Sequence, residues 1–528
     1  MWDKAWVADF DYIVIGAGSA GCVVAARLAA GSASVLLLEA GGSDRRLTVR
    51  APLAFAAQMG GQTDWNFSSE PEPGCDGRSI PQPRGRVLGG TSSMNAMVWV
   101  VGTQRDYDGW DLPGWGWDDV APVFRRIESH FLGAPSHGTM GPMRVTRLAE
   151  PDETSTRWVV AAREAGVAAN DDIGGPDLDG AAIAPVTIWK GQRWNTARGY
   201  LTDARRRPNL TVVTGALVHR VVIRDGRAVG VDYEHKGRRA VAGAHREIVL
   251  SAGAYGTPHL LQLSGVGAAD HLRSIGVPCL VDSPRVGTNL TDHPACAMSW
   301  DVQPGFVGLS DAAKPQWLLR WLFRRTGKMT SNAMEALAHV RSSPELPAPD
   351  FQLIHSPSYV NLVAMDRELR RASSVLQSYW TPKSRGTVLA RSADPHQAPA
   401  IQLNTLTEAD DVAAFVRVVR RTREIVSTEP FASVIAAELH PGPEAVTDEQ
   451  IAAWVRSTVA TTGHPACSAA MGTDDDSVLD ENLRVRGVAG LRVADASVFP
   501  RIPRANTNAP AIMVGERCAD FLAAEARR

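Results

Sequence analysis

The sequence predicts an α/β fold of two lobes, one built on a parallel βαβ unit and the other α+β. Three observations predict it. The run Asp11-Tyr-Ile-Val-Ile-Gly16-Ala-Gly18-Ser19-Ala-Gly21 reads as a buried strand, a glycine turn and a helix start, and Val35-Leu-Leu-Leu-Glu39 reads as the next parallel strand, ending in an acid. The chain has 528 residues, more than one simple core accommodates. Residues 300–455 are poorer in glycine and read as a second lobe of mixed strands and helices.

The first element carries the pattern G-x-G-x-x-G/A in its proper context, the dinucleotide-binding fingerprint of a Rossmann-like lobe. Gly16 allows the tight turn, Gly18 lets backbone approach a pyrophosphate, and Gly21 lets the helix sit close on the sheet. The helix N-terminus offers free N–H groups and a positive dipole end to phosphates. Glu39 lies 23 residues after Gly16, near the spacing expected for an acid on a ribose hydroxyl. A lone glycine pattern is weak. Strand, helix and acid together point to a nucleotide cofactor, which at this stage includes an NAD-linked dehydrogenase.

From about Gly41 to Gly141 the chain is rich in Gly, Pro and Trp, and regular helices are hard to read; extended loops that wrap a ligand are expected. Within it, Arg84-Gly-Arg86-Val87-Leu-Gly89-Gly90-Thr91-Ser-Ser-Met94-Asn95-Ala96-Met97-Val98 suits a loop pressing its backbone on a flat polar ligand, or a plain capped turn. Leu210 to Leu250 alternates as short β segments, with Asp225-Gly226 as a hairpin signal. Glu247 to Gly253 reads as a buried strand returning to the first sheet. Val286 to His293 is a compact polar turn. Leu491-Arg-Val-Ala-Asp495-Ala496 is another short buried strand ending in an acid, and Asn506-Thr507-Asn508-Ala-Pro510 leads into a terminal helix from Ala511 to about Ala524.

Composition excludes several classes. A net charge of −2 gives no reason for a nucleic-acid partner. The six cysteines are scattered, with no C-x-x-C and no metal-ligand cluster, which suits free thiols in a reducing compartment. Met1 to Asp9 lack the layout of a secretory signal, and no segment reaches the ~18 apolar residues of a membrane span. A cytoplasmic protein is expected. The segment Gln316-Trp-Leu-Leu-Arg-Trp-Leu-Phe-Arg-Arg-Thr-Gly-Lys328 mixes apolar and basic residues; it suits core packing, or else a cavity cover or peripheral contact with the inner membrane at 316–328.

Together these motifs resemble the glucose–methanol–choline oxidoreductase family over nearly the whole chain. Arg84 to Met97 is similar to its first signature, and Gly253-Ala-Tyr-Gly-Thr-Pro258 to Gly267 to its second. Arg193 to Leu201, Val286 to His293, His464-Pro465 and Asn506 to Pro510 match further segments. Ser331 to Glu335 and Pro382 to Gly386 place the resemblance nearest bacterial choline dehydrogenase-like primary-alcohol dehydrogenases. The resemblance implies FAD, not NAD, and two lobes assembled from separated segments. Residues 1–155, 210–300 and 460–528 would form the FAD-binding domain. Residues 156–209 and 301–459 would form the substrate domain, a twisted antiparallel sheet with helices roofing the cavity.

By the same resemblance, the cofactor would be touched by Gly16, Gly18, Ser19, Gly21, Glu39, Ala40, Arg86, Val87, Gly89, Thr91, Asn95, Ala96, Met97, Val98, Val218, Ala252, Asp495, Ala496, Asn506 and Thr507. Met94 stands where some members carry a histidine bonded to FAD, so the FAD is expected to be noncovalent. His464 matches the catalytic base and Asn506 its partner, which would donate to a developing alkoxide. With an ordinary imidazole pKa of ~6.5 the base would be titrated near neutrality, and flavin reduction would rise with pH through that ionisation. Asn508 suits a helix cap. The family pattern after His-Pro is Gly-Thr, replaced by Cys467-Ser468, and Cys467 reads as packing. Glu335 would lie in or beside the substrate pocket, or else in a surface salt bridge. Ile354 takes the position where choline-specific relatives have histidine, with His355 adjacent.

The implied activity is FAD-dependent oxidation of a primary alcohol to an aldehyde by hydride transfer, with oxygen or a quinone as electron acceptor. The alternatives are a hydroxynitrile lyase on the same scaffold, or a choline dehydrogenase or oxidase proper.

Overall fold

The computed structural model describes residues 8–363 and 370–527. Most of the leader, Met1 to Val7, therefore lies outside the described residues. Two seven-stranded sheets organise the rest.

The first sheet has the order Leu210–Thr214, Val35–Glu39, Ala8–Ile15, Arg238–Leu250, Arg227–His235, Ala216–Arg224, with Leu491–Val493 also paired to Arg238–Leu250. Its centre is parallel, as buried runs of Val, Ile and Leu require when both faces are covered. The last two strands of that order form an antiparallel hairpin. Its turn residues Asp225 and Gly226 both have positive φ, +48° and +71°, as a type I′ turn demands.

The helix Ser19–Leu28 lies against the terminal helix Asn508–Glu525, joined by Ser19 Oγ donating to Asn508 Oδ1 at 2.7 Å and by an Arg27–Glu516 ion pair at 2.7 Å. Gly21 makes the first helix possible at this distance. A Cβ there would stand 1.9 Å from the carbonyl oxygen of Gly16.

The second sheet is wholly antiparallel, in the order Ile435–His440, Pro294–Val302, Ala372–Tyr379, Phe351–Ser356, Ala336–Val340, Gly180–Ile183; Ala460–Thr461 also pairs with Pro294–Val302. Strand Pro294–Val302 thus already belongs to this second sheet. Side chains alternate across it. Ala336, Ala338, Leu353 and Val375 pack on the helices Glu153–Glu164 and Ala409–Val426, while Leu337, Ile354 and Leu376 face the opposite way, toward Met97 and Val98.

The Gly/Pro/Trp-rich stretch is mostly loop, short 3-10 turns and the short helices Leu47–Arg50 and Gln104–Asp108, but it also contains a longer amphipathic helix, Trp117–Ile127, with Pro122 inside it. That proline hid the helix from the sequence. No helix among the described residues is long and apolar enough to cross a membrane.

Candidate active site

A cavity of about 970 Å³ lies between the two sheets. That is at the upper end of the ~300–1,000 Å³ found for ligand pockets, enough for a large cofactor and a small substrate. At one end it is lined by the fingerprint turn. Gly16 has φ +94°, and a Cβ there would meet Ser251 O at 2.4 Å. At Gly18 the nearest atom to an added Cβ is 3.8 Å away, so this position opens onto the cavity. Gly90, φ +52°, closes on Gly18; an added Cβ would lie 2.7 Å from Gly18 Cα. The N-termini of Ser19–Leu28 and Asn508–Glu525 both reach the cavity, with no side-chain cap and no acid in the first turn. Unspent N–H donors and two dipole ends are what a pyrophosphate needs. Asn508 spends its side chain on Ser19 and does not cap the helix.

Glu39, at the end of its strand, accepts the N–H of Ala17 at 2.9 Å and of Gly41 at 2.7 Å. Burial pushes its carboxyl up to about 7, against the pull of those two donors and of Arg86. A carboxylate so placed gains from hydroxyl donors. This donor and acceptor set fits a dinucleotide, with Gly16, Gly18, Ser19, Glu39, Thr91, Asn95 and the two helix ends available to hold it.

Most residues named from the sequence are brought together on this wall. Gly16, Gly18, Ser19, Glu39, Ala40, Arg86, Thr91, Asn95, Ala96, Met97, Val98, Val218, Ala252, Asp495, Ala496, Asn506 and Thr507 line it, as do Met94 and His464. Gly21, Val87 and Gly89 stand behind it; the Gly89 N–H is spent on Ala17 O at 2.8 Å. Met97 and Ala333 on the wall hold φ values of +61° and +60°, rare for residues with a Cβ.

At the other end stands His464. Its backbone N–H donates to Asp292 Oδ1 at 2.8 Å, and its Nδ1 lies 3.1 Å from Thr462 Oγ1 and 3.0 Å from His293 Nδ1. Thr462 Oγ1 donates its own hydrogen to His293 O at 2.9 Å. Its lone pairs are then free to accept from His464 Nδ1–H. On the far side of the ring, Asn506 Nδ2 lies 3.4 Å from Nε2. Both neighbours select the tautomer with the proton on Nδ1 and the Nε2 lone pair toward the cavity, the form a base requires.

Burial pushes the ring's pKa down to about 3, with the positive charge of Arg84 as a second cause. This differs from the expected ionisation near neutrality: the half-buried ring gives up part of its hydration beside the Arg84 charge, and the charged form loses most by that. Arg84 is held by donating to Gly463 O at 2.6 Å.

Sequence reasoning missed the supports of this pair. Gln352 and Asn506 face each other as reciprocal amides at 3.4 Å, and Gln352 Nε2 lies 3.2 Å from His339 Nε2. Gln352 shares its strand face with Ile354, the period-2 signal that could have found it. Thr462 lies two residues before the recognised His464-Pro465, and His293 is the last residue of the recognised turn Val286 to His293.

Two substrate-pocket expectations need correction. Ile354 lines the cavity, but Glu335 and His355 do not. His355 follows Ile354 on the strand and so points to the opposite face. There it stacks on Trp158, bonds Ser155 and Ser373, and is held neutral by burial, its pKa down to about 3. Glu335 is also buried on that side, accepting from Asp152 N at 2.6 Å, Ser155 Oγ at 2.8 Å and Ser331 Oγ at 2.5 Å; it makes no surface salt bridge. Cys467 is packed, with its thiol pushed up to about 12 by burial. Its φ of +72° retains the left-handed turn for which the family pattern has glycine.

The GMC oxidoreductase family models match residues 10–295 and 382–515. The chain belongs to the GMC oxidoreductase family. It is 41% identical, over 97% of this chain and 99% of the relative, to an uncharacterized GMC-type oxidoreductase of Mycobacterium tuberculosis. It is 38% identical to the oxygen-dependent choline dehydrogenase of Sinorhizobium fredii, over 97% and 95%. Among solved structures it resembles formate oxidase of Aspergillus oryzae, with TM-score 0.92 and 28% identity over 99% of this chain and 100% of that one. It also resembles pyridoxine 4-oxidase of Mesorbium loti, with TM-score 0.87 and 28% identity over 97% and 98%. This GMC enzyme is an FAD-dependent oxidoreductase acting on alcohol-type donors.

The placement of Glu335 has a measurable consequence. In Glu335→Ala, three buried donors lose their acceptor, at about 1–3 kcal/mol for each group left unsatisfied. The expected result is a markedly lower melting temperature, with the ratio of flavin reduction rates for cationic and neutral alcohols unchanged. A changed ratio would return Glu335 to the substrate pocket.

Proposed function

We propose that this enzyme oxidises a neutral primary alcohol with an apolar chain to its aldehyde, with His464 as base. The supporting observation is the His464–Asn506 pair, whose Nε2 lone pair and amide donor meet 3.4 Å apart at the cavity surface. The chemistry FAD supplies when bound is acceptance of the hydride from the alcohol carbon. His464 takes the hydroxyl proton at Nε2. A ring with a pKa of about 3 is a weak base toward a resting alcohol. As the hydride leaves, however, the hydroxyl becomes that of a protonated carbonyl, far more acidic than the imidazolium. Proton and hydride therefore depart together. Asn506 Nδ2 donates to a lone pair of the oxygen and turns its hydroxyl proton toward Nε2, and Gln352 holds that amide in orientation.

The substrate class follows from the wall beside the pair. Ile354 and, across from it, Leu376 line the cavity on the strand face that carries Gln352. The carboxylates lining the cavity among the described residues are Glu39 and Asp495, and Asp495 is spent on Gly253 N, Thr257 Oγ1 and Ser497 N. Nothing in this wall would hold a quaternary ammonium by charge, so an uncharged alcohol is preferred to choline. Residues 1–155, 210–300 and 460–528 are assigned to the FAD-binding domain and 156–209 and 301–459 to the substrate domain, with the strand Pro294–Val302 as the crossover between them.

The electron acceptor is oxygen or a quinone, and the helix Pro315–Arg324 supports the quinone. It exposes Leu318, Leu319, Leu322 and Phe323, the last 83% exposed, while Trp321 alone is buried. Leu309, Ala312 and Ala313 before it, and Met329 and Met334 after it, line the cavity. An apolar face beside Arg320 and Arg324 suits an anionic membrane surface at the cavity rim.

Three outcomes check this reading. His464→Ala should keep its FAD and slow anaerobic flavin reduction by ~10²–10⁴-fold, and Asn506→Ala by ~10²–10³-fold. The double variant should fall short of the product, because both groups act on one oxygen; wild-type rates in His464→Ala would remove it as the base. Acid precipitation should release all FAD into the supernatant, since Met94 offers no nitrogen for a covalent bond, and flavin left on the chain would contradict this. Finally, the protein should sediment with phosphatidylglycerol vesicles and lose that property in Leu319→Ser/Phe323→Ser. No sedimentation of the wild type would reject the membrane contact.

A further inference from the structure

A second cluster of chemistry-bearing side chains lies away from His464. His219 and Glu234 stand on the hairpin strands Ala216–Arg224 and Arg227–His235, and His396 stands on the loop between the strands Thr387–Leu389 and Ala400–Gln402. Glu234 Oε2 is 3.9 Å from His219 Nε2 and 3.5 Å from His396 Nε2. One ligand atom from each of the three residues lies within 4.8 Å of the others. The rings meet at 69°, with centroids 5.3 Å apart, so that lone pairs in the two ring planes can converge on one point, which stacked rings would prevent.

We propose that His219, Glu234 and His396 form a binding site for a Zn²⁺-class divalent ion, which ties the 390–399 loop to the nucleotide lobe across the cavity. Two imidazole nitrogens and one carboxylate oxygen are a borderline donor set, suited to Zn²⁺ and its neighbours and poorly suited to Mg²⁺ or Ca²⁺. A tetrahedral ion with bonds of ~2.0–2.1 Å sets its ligand atoms ~3.4 Å apart. The observed 3.5 and 3.9 Å lie near that spacing, and the third pair of ligand atoms is within 4.8 Å.

Local features agree. His219 is the extra residue of a β-bulge, where the register shifts between Val218 and Arg220; bulges re-aim side chains and are frequent beside functional sites. Its Nε2 is shielded from solvent without a hydrogen-bond partner. Asp232, on the same strand as Glu234, pairs with Arg239 and Arg220. His396, 53% exposed, leaves the fourth position open to water.

The position gives the site a consequence. Pro395 to Pro399 line the cavity, and so do Ala216 to Val218 beside His219. An ion bound by His396 and the hairpin pins the loop over this end of the cavity and so opposes departure of the cofactor.

The test uses the untagged holoenzyme, stripped of metal by chelator, at pH 7.5, where an ordinary imidazole is neutral. Zn²⁺ is titrated in competition with a chromogenic chelator, and FAD loss on dilution is followed by flavin fluorescence. One equivalent should bind. His396→Ala, an exposed position that leaves the fold intact, and Glu234→Gln should each weaken binding by about tenfold or more. His245→Ala, an exposed histidine elsewhere, should not. Zn²⁺ should shift the dilution midpoint for FAD loss by about fivefold in the wild type and not in His396→Ala. Equal Zn²⁺ binding in wild type and His396→Ala, an adventitious ion only, overturns the site. Stoichiometric binding with FAD loss unchanged overturns the tie.

Discussion

Asp292 is buried, and the placement of His464 depends on its carboxylate. Oδ1 accepts the backbone N–H of His293 at 2.7 Å and of His464 at 2.8 Å, and Oδ2 accepts the hydroxyl of Thr461. Burial raises its pKa, and these donors, with the charge of Arg84, work against that rise. The residue ends the polar turn before Pro294–Val302, a strand of the second sheet, while its partners Thr461 and His464 lie in the segment leading to Ala466, which bridges back to Thr291. One carboxylate therefore fixes the His464 backbone relative to the strands Pro294–Val302 and Ala460–Thr461 of the second sheet. The ring it positions is half-buried at the cavity wall, and its surroundings hold it neutral.

The cofactor end depends on a different constraint, the near contact of backbones. The first helix meets the strand it follows only because Gly21 has no Cβ, and the signature loop meets the fingerprint turn only because Gly90 has none. Those two approaches bring unspent N–H groups to the cavity, with Glu39 at the end of the neighbouring strand. The cavity is thus a charged and polar slot at one end, and at the other the amide–imidazole pair stands beside the apolar Ile354 and Leu376. That division matches a large polar cofactor and a small apolar alcohol.

Much of this was legible in the chain. The βαβ unit, the Asp225-Gly226 hairpin and the returning strands are local patterns, and local sterics decide them. The motifs carried His464 and Asn506 to one site. What sequence could not supply were matters of facing and of long-range partners. Glu335 and His355 lie within a few residues of cavity-lining positions, yet parity on the strand sends His355 to the helical layer, and a turn before the strand sends Glu335 there too. Gln352 and Thr462 act through contacts that only the folded chain creates. The pKa of His464 belongs to its surroundings, since an isolated imidazole would titrate near neutrality.

That last point is the most direct test of the account. The measurement is the rate constant for anaerobic flavin reduction by a saturating neutral alcohol, in single turnover, across the pH range. With burial holding the ring neutral down to about pH 3, the rate should stay level from pH 9 to about 5 and fall only toward that value. A single inflection near ~6.5, the ordinary imidazole value, would show that His464 is fully solvated and that the neutral, Asp292-anchored ring is not what the enzyme uses.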